Sequence, residues 1–148
     1  VALRRAGSEA EPGRWQADYA NSLSNLALLL NSLGRPSESL PLHQEALGLS
    51  RAAYEAVPER WQGAYARSLN NLASVLQSLG RPSEALPLLQ EALAILRSGY
   101  EVEPERCQED FATSLNNLAG ALDSLGRPSA ALPLYLEALA LFRADYEA

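Results

Sequence analysis

The segment Leu33-Gly34-Arg35-Pro36-Ser37 occurs three times in this 148-residue chain. It returns as Leu79-Gly80-Arg81-Pro82-Ser83 and again as Leu125-Gly126-Arg127-Pro128-Ser129, each time after a step of 46 residues. A fixed step of this length indicates a repeat protein, in which each unit stacks on its neighbours and buries a core between them. The sequence therefore predicts a stack of similar units rather than one globular centre.

Each unit is predicted to contain two helices, which we name helix A and helix B. Between Pro12 and Gly34, apolar residues recur at steps of three and four, the spacing of one helical face. Gly34 suits the left-handed residue that ends a helix, and Pro36 suits the first turn of the next helix. Val57 should leave helical geometry because Pro58 follows it and opens the next unit. The predicted fold is all-α, an α-solenoid of helix-turn-helix units.

The repeat step also divides the chain. It predicts a single repeat domain over 1–148, with repeats at 12–57, 58–103 and 104–148, and with 1–11 as the remnant of a preceding repeat. The sequence is therefore expected to be a piece of a longer array. Three of the nine prolines fall inside helix B, where a proline removes a hydrogen bond and presses on the preceding turn, so we expect a bend there. These prolines are Pro41, Pro87 and Pro133.

Composition excludes several classes of function. The formal net charge is −6 and every cation is an arginine, so a basic stripe that tracks phosphates cannot be assembled and nucleic acid is not an expected partner. Cys107 is the only cysteine, which excludes disulfides and cysteine-based metal sites within the chain and favours a reducing compartment. No apolar run reaches membrane-spanning length. We expect a cytoplasmic protein with no cofactor, metal or membrane partner. Its lysine-free amino-acid composition favours a bacterial source.

The repeat unit resembles the tetratricopeptide repeat in its pattern of large and small apolar residues. In the second unit the matching residues are Leu69, Leu72, Ala73, Leu76, Gly80, Ala85, Leu89 and Ala92. The usual repeat has about 34 residues, so this longer unit is similar to the long-helix variants of kinesin light chains and bacterial signalling proteins. Those variants share the Leu-Asn-Asn-Leu-Ala string found at 69–73 and 115–119. The resemblance implies a right-handed solenoid.

The resemblance also implies that the helices A line a concave groove that binds an extended peptide. Carried over position by position, the groove has three rungs. They are Asn21, Ser24, Asn25, Leu28 and Asn31; Arg67, Asn70, Asn71, Ser74 and Gln77; and Thr113, Asn116, Asn117, Gly120 and Asp123. These positions vary between repeats, whereas the face that holds Leu26, Leu72 and Leu118 is constant. Variation on one face of a constant scaffold is typical of a binding surface.

Asparagines stand one repeat apart in this groove. Asn25, Asn71 and Asn117 resemble a ladder that holds the main chain of a bound peptide, because a side-chain amide is both a donor and an acceptor. The alternative is that each asparagine bonds the backbone of a neighbouring helix and orients the stack. Because two adjacent amides cannot both serve one structural bond, the tandem pairs at 70–71 and 116–117 favour binding. The groove positions lack the cluster of cations that would clamp a carboxylate.

Packing roles are expected for the other conspicuous residues. Trp15 and Trp61, each with a tyrosine four residues on, should fill space between the longer helices. His43 stands on a packing position that holds leucine in the next repeat. His43 and Cys107 are more than one repeat apart, which excludes a catalytic dyad. No other catalytic motif is present, so no enzymatic activity is expected.

Two functions remain open from the sequence. The first is a scaffold that binds an extended peptide or partner segment in the groove. The second is a spacer or self-associating sensor array within a larger multidomain signalling protein whose effector domain lies elsewhere. Homo-oligomers would form through apolar residues of the last helix, which no further helix follows. These residues are Leu132, Tyr135, Leu139 and Phe142.

Overall fold

The computed structural model describes residues 13–147, and this part of the chain consists of six α-helices joined by connections of one or three residues. The helices are α1 (Arg14–Ser32), α2 (Pro36–Ala56), α3 (Pro58–Ser78), α4 (Pro82–Val102), α5 (Pro104–Ser124) and α6 (Pro128–Glu147). Each helix packs against the helix before it and the helix after it. The predicted all-α solenoid is therefore confirmed, with α1, α3 and α5 as the helices A. The predicted remnant at 1–11 lies outside the described residues, and the repeat boundaries stay a prediction.

The three-residue connections depend on a glycine in the left-handed conformation. Gly34, Gly80 and Gly126 have φ angles of 74°, 73° and 75°, which a residue with a Cβ atom rarely adopts. In the first copy the Gly34 N–H donates to the Asn31 carbonyl at 3.0 Å, and the Arg35 N–H donates to the Leu30 carbonyl at 2.9 Å. These bonds satisfy carbonyls that the end of a helix leaves open, and both recur in the other two copies.

The one-residue connections depend on proline. Val57 has φ −142° and ψ 85°, and Glu103 has φ −132° and ψ 74°, so both are extended. Each precedes a proline that begins the next helix A, as predicted from the restriction that proline places on its neighbour. The three prolines inside helix B lie within helical segments, at 41, 87 and 133. The bend expected at these prolines stays a prediction.

The helices A lie closer to one another than the helices B do. Helix α3 contacts α1 and α5 directly, whereas no contact joins one helix B to another within residues 13–147. Ala27, Ala73 and Ala119, at equivalent positions of the three helices A, are completely buried.

The constant face of helix A is buried in two of its three copies. Leu72 and Leu118 are buried between their own helix and the helix B that precedes it, whereas Leu26 is exposed. The sequence showed only that this face is constant in all three repeats. The difference arises because no helix precedes α1 within the described residues.

A polar contact joins successive repeats and changes form along the array. Arg51 in α2 donates to the hydroxyl of Tyr65 at 3.0 Å, and that hydroxyl donates to Glu91 in α4 at 2.7 Å. One repeat later a phenylalanine replaces the tyrosine, and the arginine contacts the glutamate directly. There Arg97 donates two hydrogen bonds to Glu137, at 3.0 and 3.2 Å, and its guanidinium lies over the ring of Phe111.

Candidate functional site

Two clefts lie along the row of helices A. Cleft 1 lies between α1 and α3 and has a volume of about 230 Å³. Cleft 2 lies between α3 and α5 and has a volume of about 240 Å³. Arg67 and Asn71 of α3 line both clefts, so the two form one continuous surface across the middle of the described chain.

Most of the groove positions predicted from the sequence lie in these clefts. The predicted residues that line cleft 1 are Asn21, Ser24, Asn25, Leu28, Arg67 and Asn71. Those that line cleft 2 are Arg67, Asn70, Asn71, Ser74, Gln77, Thr113 and Asn117. The remaining predicted positions belong to neither cleft lining, and they are Asn31, Asn116, Gly120 and Asp123. The clefts thus contain four of the five residues of the first rung, all five of the second and two of the third. Whether any of these residues binds a partner stays a prediction.

The asparagine amides are available in both clefts. Asn25, Asn71 and Asn117 make no side-chain hydrogen bond to any other residue in the described range 13–147. The alternative role, in which each asparagine bonds a neighbouring backbone, therefore has no bond to support it. In cleft 2 the Oδ1 atom of Asn70 is buried and accepts no hydrogen bond from the described chain. A buried acceptor without a donor is costly, so this amide is not satisfied by the described chain.

Charge in the clefts is centred on Arg67. This exposed residue is the only cation in either lining, as far as the described residues go, and it makes no ion pair with any of them. Asp18 lies in cleft 1 and Asp110 in cleft 2, so a carboxylate stands on each side of the guanidinium. Asp18 is hydrogen-bonded to Arg14 at 3.2 Å.

Among the lining residues that were not predicted from the sequence, three carry charged or aromatic side chains. They are Asp18, Trp61 and Asp110. The two aspartates lie three residues before Asn21 and Thr113, a helical spacing that places them beside predicted rungs. Trp61 was expected only to pack. Its indole does pack under the start of α1, since a Cβ atom on Gly13 would lie 2.5 Å from its Nε1 atom, but the same ring also lines cleft 1.

The remaining conspicuous residues lie in the scaffold. His43 is buried in α2, and burial lowers the pKa of its imidazole. Cys107 is buried in α5, where a Cβ atom on Gly99 would lie 3.0 Å from its Sγ atom, and burial raises the pKa of its thiol. Helices α2 and α5 do not touch, so the two side chains do not form a dyad.

The described residues contain neither a metal-binding cluster nor a membrane-spanning helix. Between residues 13 and 147 no three side chains of His, Cys, Asp or Glu are grouped so that they could hold a metal ion. Over the same range no helix has both the length and the apolar character needed to cross a membrane.

Comparison with known proteins points to one family. Models of the tetratricopeptide repeat match residues 18–98 and residues 111–144. Among solved structures, the chain is similar to MamA, with 16% identity and a TM-score of 0.48 over 98% of this chain and 88% of that one. It is also similar to YrrB, described as a TPR protein with an unusual peptide-binding site, with 18% identity and a TM-score of 0.24 over 93% of this chain and 91% of that one. No curated protein matches the chain.

Proposed function

The chain belongs to the tetratricopeptide repeat family, whose members act as protein-interaction scaffolds, and we propose that it binds an extended segment of a partner protein across clefts 1 and 2. One observation carries this proposal. Asparagine amides stand one repeat apart along connected clefts, and none is used by the described protein itself.

The chemistry of the clefts favours a main-chain mode of binding. An extended peptide repeats a donor and an acceptor at every residue, and an amide side chain matches either group whatever side chains the peptide carries. Asn71 would reach main-chain groups from either cleft, and Asn70 offers a second amide in cleft 2. Ser24, Ser74 and Thr113 line the clefts as well and leave room for the chain without adding charge.

Selection among partners would come from the few charges. Arg67 would contact an acidic side chain or a carbonyl of the bound segment, because a guanidinium offers several donors in a fixed plane. Asp110 would favour a basic or donor side chain further along cleft 2. We therefore propose a segment that is polar overall, with an acidic residue placed to meet Arg67, rather than a uniformly acidic or basic one.

A peptide library tests the proposal. The library would be screened against the chain, and dissociation constants of the selected peptides measured by calorimetry for the wild type and for the joint variant Asn71→Ala with Asn117→Ala. Each lost hydrogen bond contributes about 1 kcal/mol, so the joint variant should bind roughly 30-fold more weakly.

A matched control uses two other amides one repeat apart. Gln44 and Gln90 are exposed on the helices B, outside both clefts, so their joint change to alanine should leave affinity as in the wild type. Unchanged binding by the asparagine variant, or an equal loss in the glutamine variant, would rule out the asparagine ladder.

A further inference from the structure

Arg67 gives the clefts a charge that the neighbouring repeats lack at the same position. The equivalent residues of α1 and α5 are Asn21 and Thr113, which are neutral. Arg67 is exposed, lines both clefts and makes no ion pair with any residue between 13 and 147. Its guanidinium can therefore pair with a carboxylate of a bound segment without first breaking an ion pair within the described chain.

Asp110 brings the opposite charge into cleft 2. It is exposed on α5, and its Oδ2 atom lies 4.0 Å from the position that a Cβ atom on Gly63 of α3 would occupy, so the carboxylate reaches across the cleft. Arg106, one turn earlier on α5, pairs with Glu103 at 3.7 Å. In the described part of the chain Asp110 thus has no ion-pair partner.

The two charges of cleft 2 stand about one helical turn apart. Gly63 comes one turn before Arg67 on α3, so the two positions share a face, with about 6 Å between their Cβ positions. The Asp110 carboxylate lies beside Gly63 and makes no ion pair with Arg67. Cleft 2 therefore presents a cation and an anion that do not neutralise each other by contact.

An extended segment matches this spacing with side chains two positions apart. Neighbouring side chains of an extended chain point to opposite sides, so only alternate side chains face the same helices. Side chains two positions apart are separated by about 7 Å, close to one helical turn, whereas side chains four positions apart are separated by about 13 Å. Two side chains that reach the two charges of cleft 2 should therefore be two positions apart.

Cleft 1 holds a carboxylate that is already paired. Asp18 has the same repeat position as Asp110, two repeats earlier, and it lines cleft 1. Its Oδ2 atom accepts a hydrogen bond from Arg14 at 3.2 Å. A carboxylate that already has a cation beside it gains less from a second one, so Asp18 is a matched comparison for Asp110.

We propose that the partner segment carries an acidic and a basic side chain two positions apart, with the acidic side chain on Arg67 and the basic side chain on Asp110. This inference rests on the function proposed above and adds a sequence requirement to main-chain binding. Each charge of such a segment meets a group of opposite sign in cleft 2. A segment with two acidic or two basic side chains at these positions places like charges together and is selected against.

Selection from a random peptide library tests the pairing. The wild type should enrich peptides that carry Asp or Glu two positions from Lys or Arg, in one preferred order. Arg67→Gln should lose only the preference for the acidic side chain, and Asp110→Asn only the preference for the basic one, whereas the control Asp18→Asn should keep both. Changing either charged residue of a selected peptide to glutamine should weaken its binding to the wild type about fivefold, and high salt should reduce this loss.

The double variant Arg67→Asp with Asp110→Arg distinguishes recognition from a structural effect. It exchanges the two charges, so it should enrich the same pair of side chains in the opposite order. An unchanged order, or an equal loss of preference in Asp18→Asn and Asp110→Asn, would overturn the inference. Circular dichroism checks that the variants fold. If the double variant does not, Arg67→Glu replaces it and should enrich basic side chains at both positions.

The same selection separates this inference from the proposed function. Peptides that lose affinity in the joint variant Asn71→Ala with Asn117→Ala, but carry no enriched pair of charges, would overturn the charge pairing alone. A library from which the wild type selects no peptide would overturn both.

Discussion

Ser50 and Ser68 share a buried hydrogen bond across α2 and α3, with their hydroxyl oxygens 2.7 Å apart. One repeat later the second serine is kept as Ser114, but Leu96 stands at the position of the first. The Ser114 hydroxyl is completely buried and has no partner in the described part of the chain. The array therefore contains one satisfied and one unsatisfied copy of the same contact.

This difference predicts opposite effects of the same substitution. Ser114→Ala should raise the free energy of unfolding by about 1 kcal/mol, because it removes a buried polar group that has no partner. Ser68→Ala should lower that free energy by about the same amount, because the buried Ser50 hydroxyl then loses the one side-chain partner it has within residues 13–147. Urea unfolding followed by circular dichroism measures both. Shifts of the same sign in the two variants would contradict the account.

His43 predicts a dependence of stability on pH. Burial lowers the pKa of the folded imidazole from its ordinary value of 6.5, so the unfolded chain binds a proton more readily below that pH. Stability should therefore be fully present above pH 6.5 and fall as the pH decreases from 6.5 towards the folded pKa. His43→Leu, which installs the residue found one repeat later, should remove this part of the dependence. The unfolding free energies of both proteins would be measured at pH 7.5, 6.5 and 5.5. An equal loss in wild type and variant as the pH falls would show that His43 does not contribute to the pH dependence.

Two glycines predict opposite results for a change to alanine. Gly80 has a φ angle of 73°, so alanine should cost about 1 kcal/mol there although the space around it is open. Gly48 lies inside α2, and nothing lies within 4 Å of an added Cβ atom, so alanine should stabilise the chain by up to about 1 kcal/mol. Thermal unfolding of the two variants checks both signs. A stabilising Gly80→Ala would show that the left-handed turn is not required.

The Phe111 repeat predicts how the Tyr65 contact responds to mutation. Tyr65→Phe removes the hydroxyl between Arg51 and Glu91, but Arg97 and Glu137 show that the two charges can then bond directly. The expected loss in unfolding free energy is about 1 kcal/mol or less, because a partly exposed ion pair replaces the bridged contact. A loss above about 3 kcal/mol by denaturant titration would mean that the arginine and glutamate do not re-pair.

The fold could be predicted because its decisive signals are local. Gly34, Pro36 and Pro58 each act on the dihedral angles of one or two residues, so the ends of the helices follow from sequence alone. The missing partner of Ser114 could not be predicted in this way. It depends on which position of α4 lies against α5, and that register is set by packing between helices rather than by either segment.

The candidate site could be predicted in part. The resemblance to the tetratricopeptide repeat, carried over position by position, placed Asn25, Asn71 and Asn117 in the groove, and all three line the clefts. The sequence did not show that the clefts connect through α3, or that Trp61 both packs and lines cleft 1. Those features depend on how closely the helices A approach one another, which is set by packing between helices rather than by any one segment.

Backbone-modified peptides test whether the clefts hold the main chain of a partner segment. A peptide selected from the library would be compared with analogues in which single amide N–H groups are replaced by ester oxygens, and with analogues in which single side chains are reduced to alanine. Calorimetry should show that ester replacement at one or more positions weakens binding to the wild type about tenfold, whereas most alanine replacements change the affinity little. In the protein variants Asn71→Ala or Asn70→Ala, the ester and amide forms of the peptide should then bind equally. Ester analogues that all bind as tightly as the parent peptide, with affinity lost only when side chains are removed, would contradict the claim.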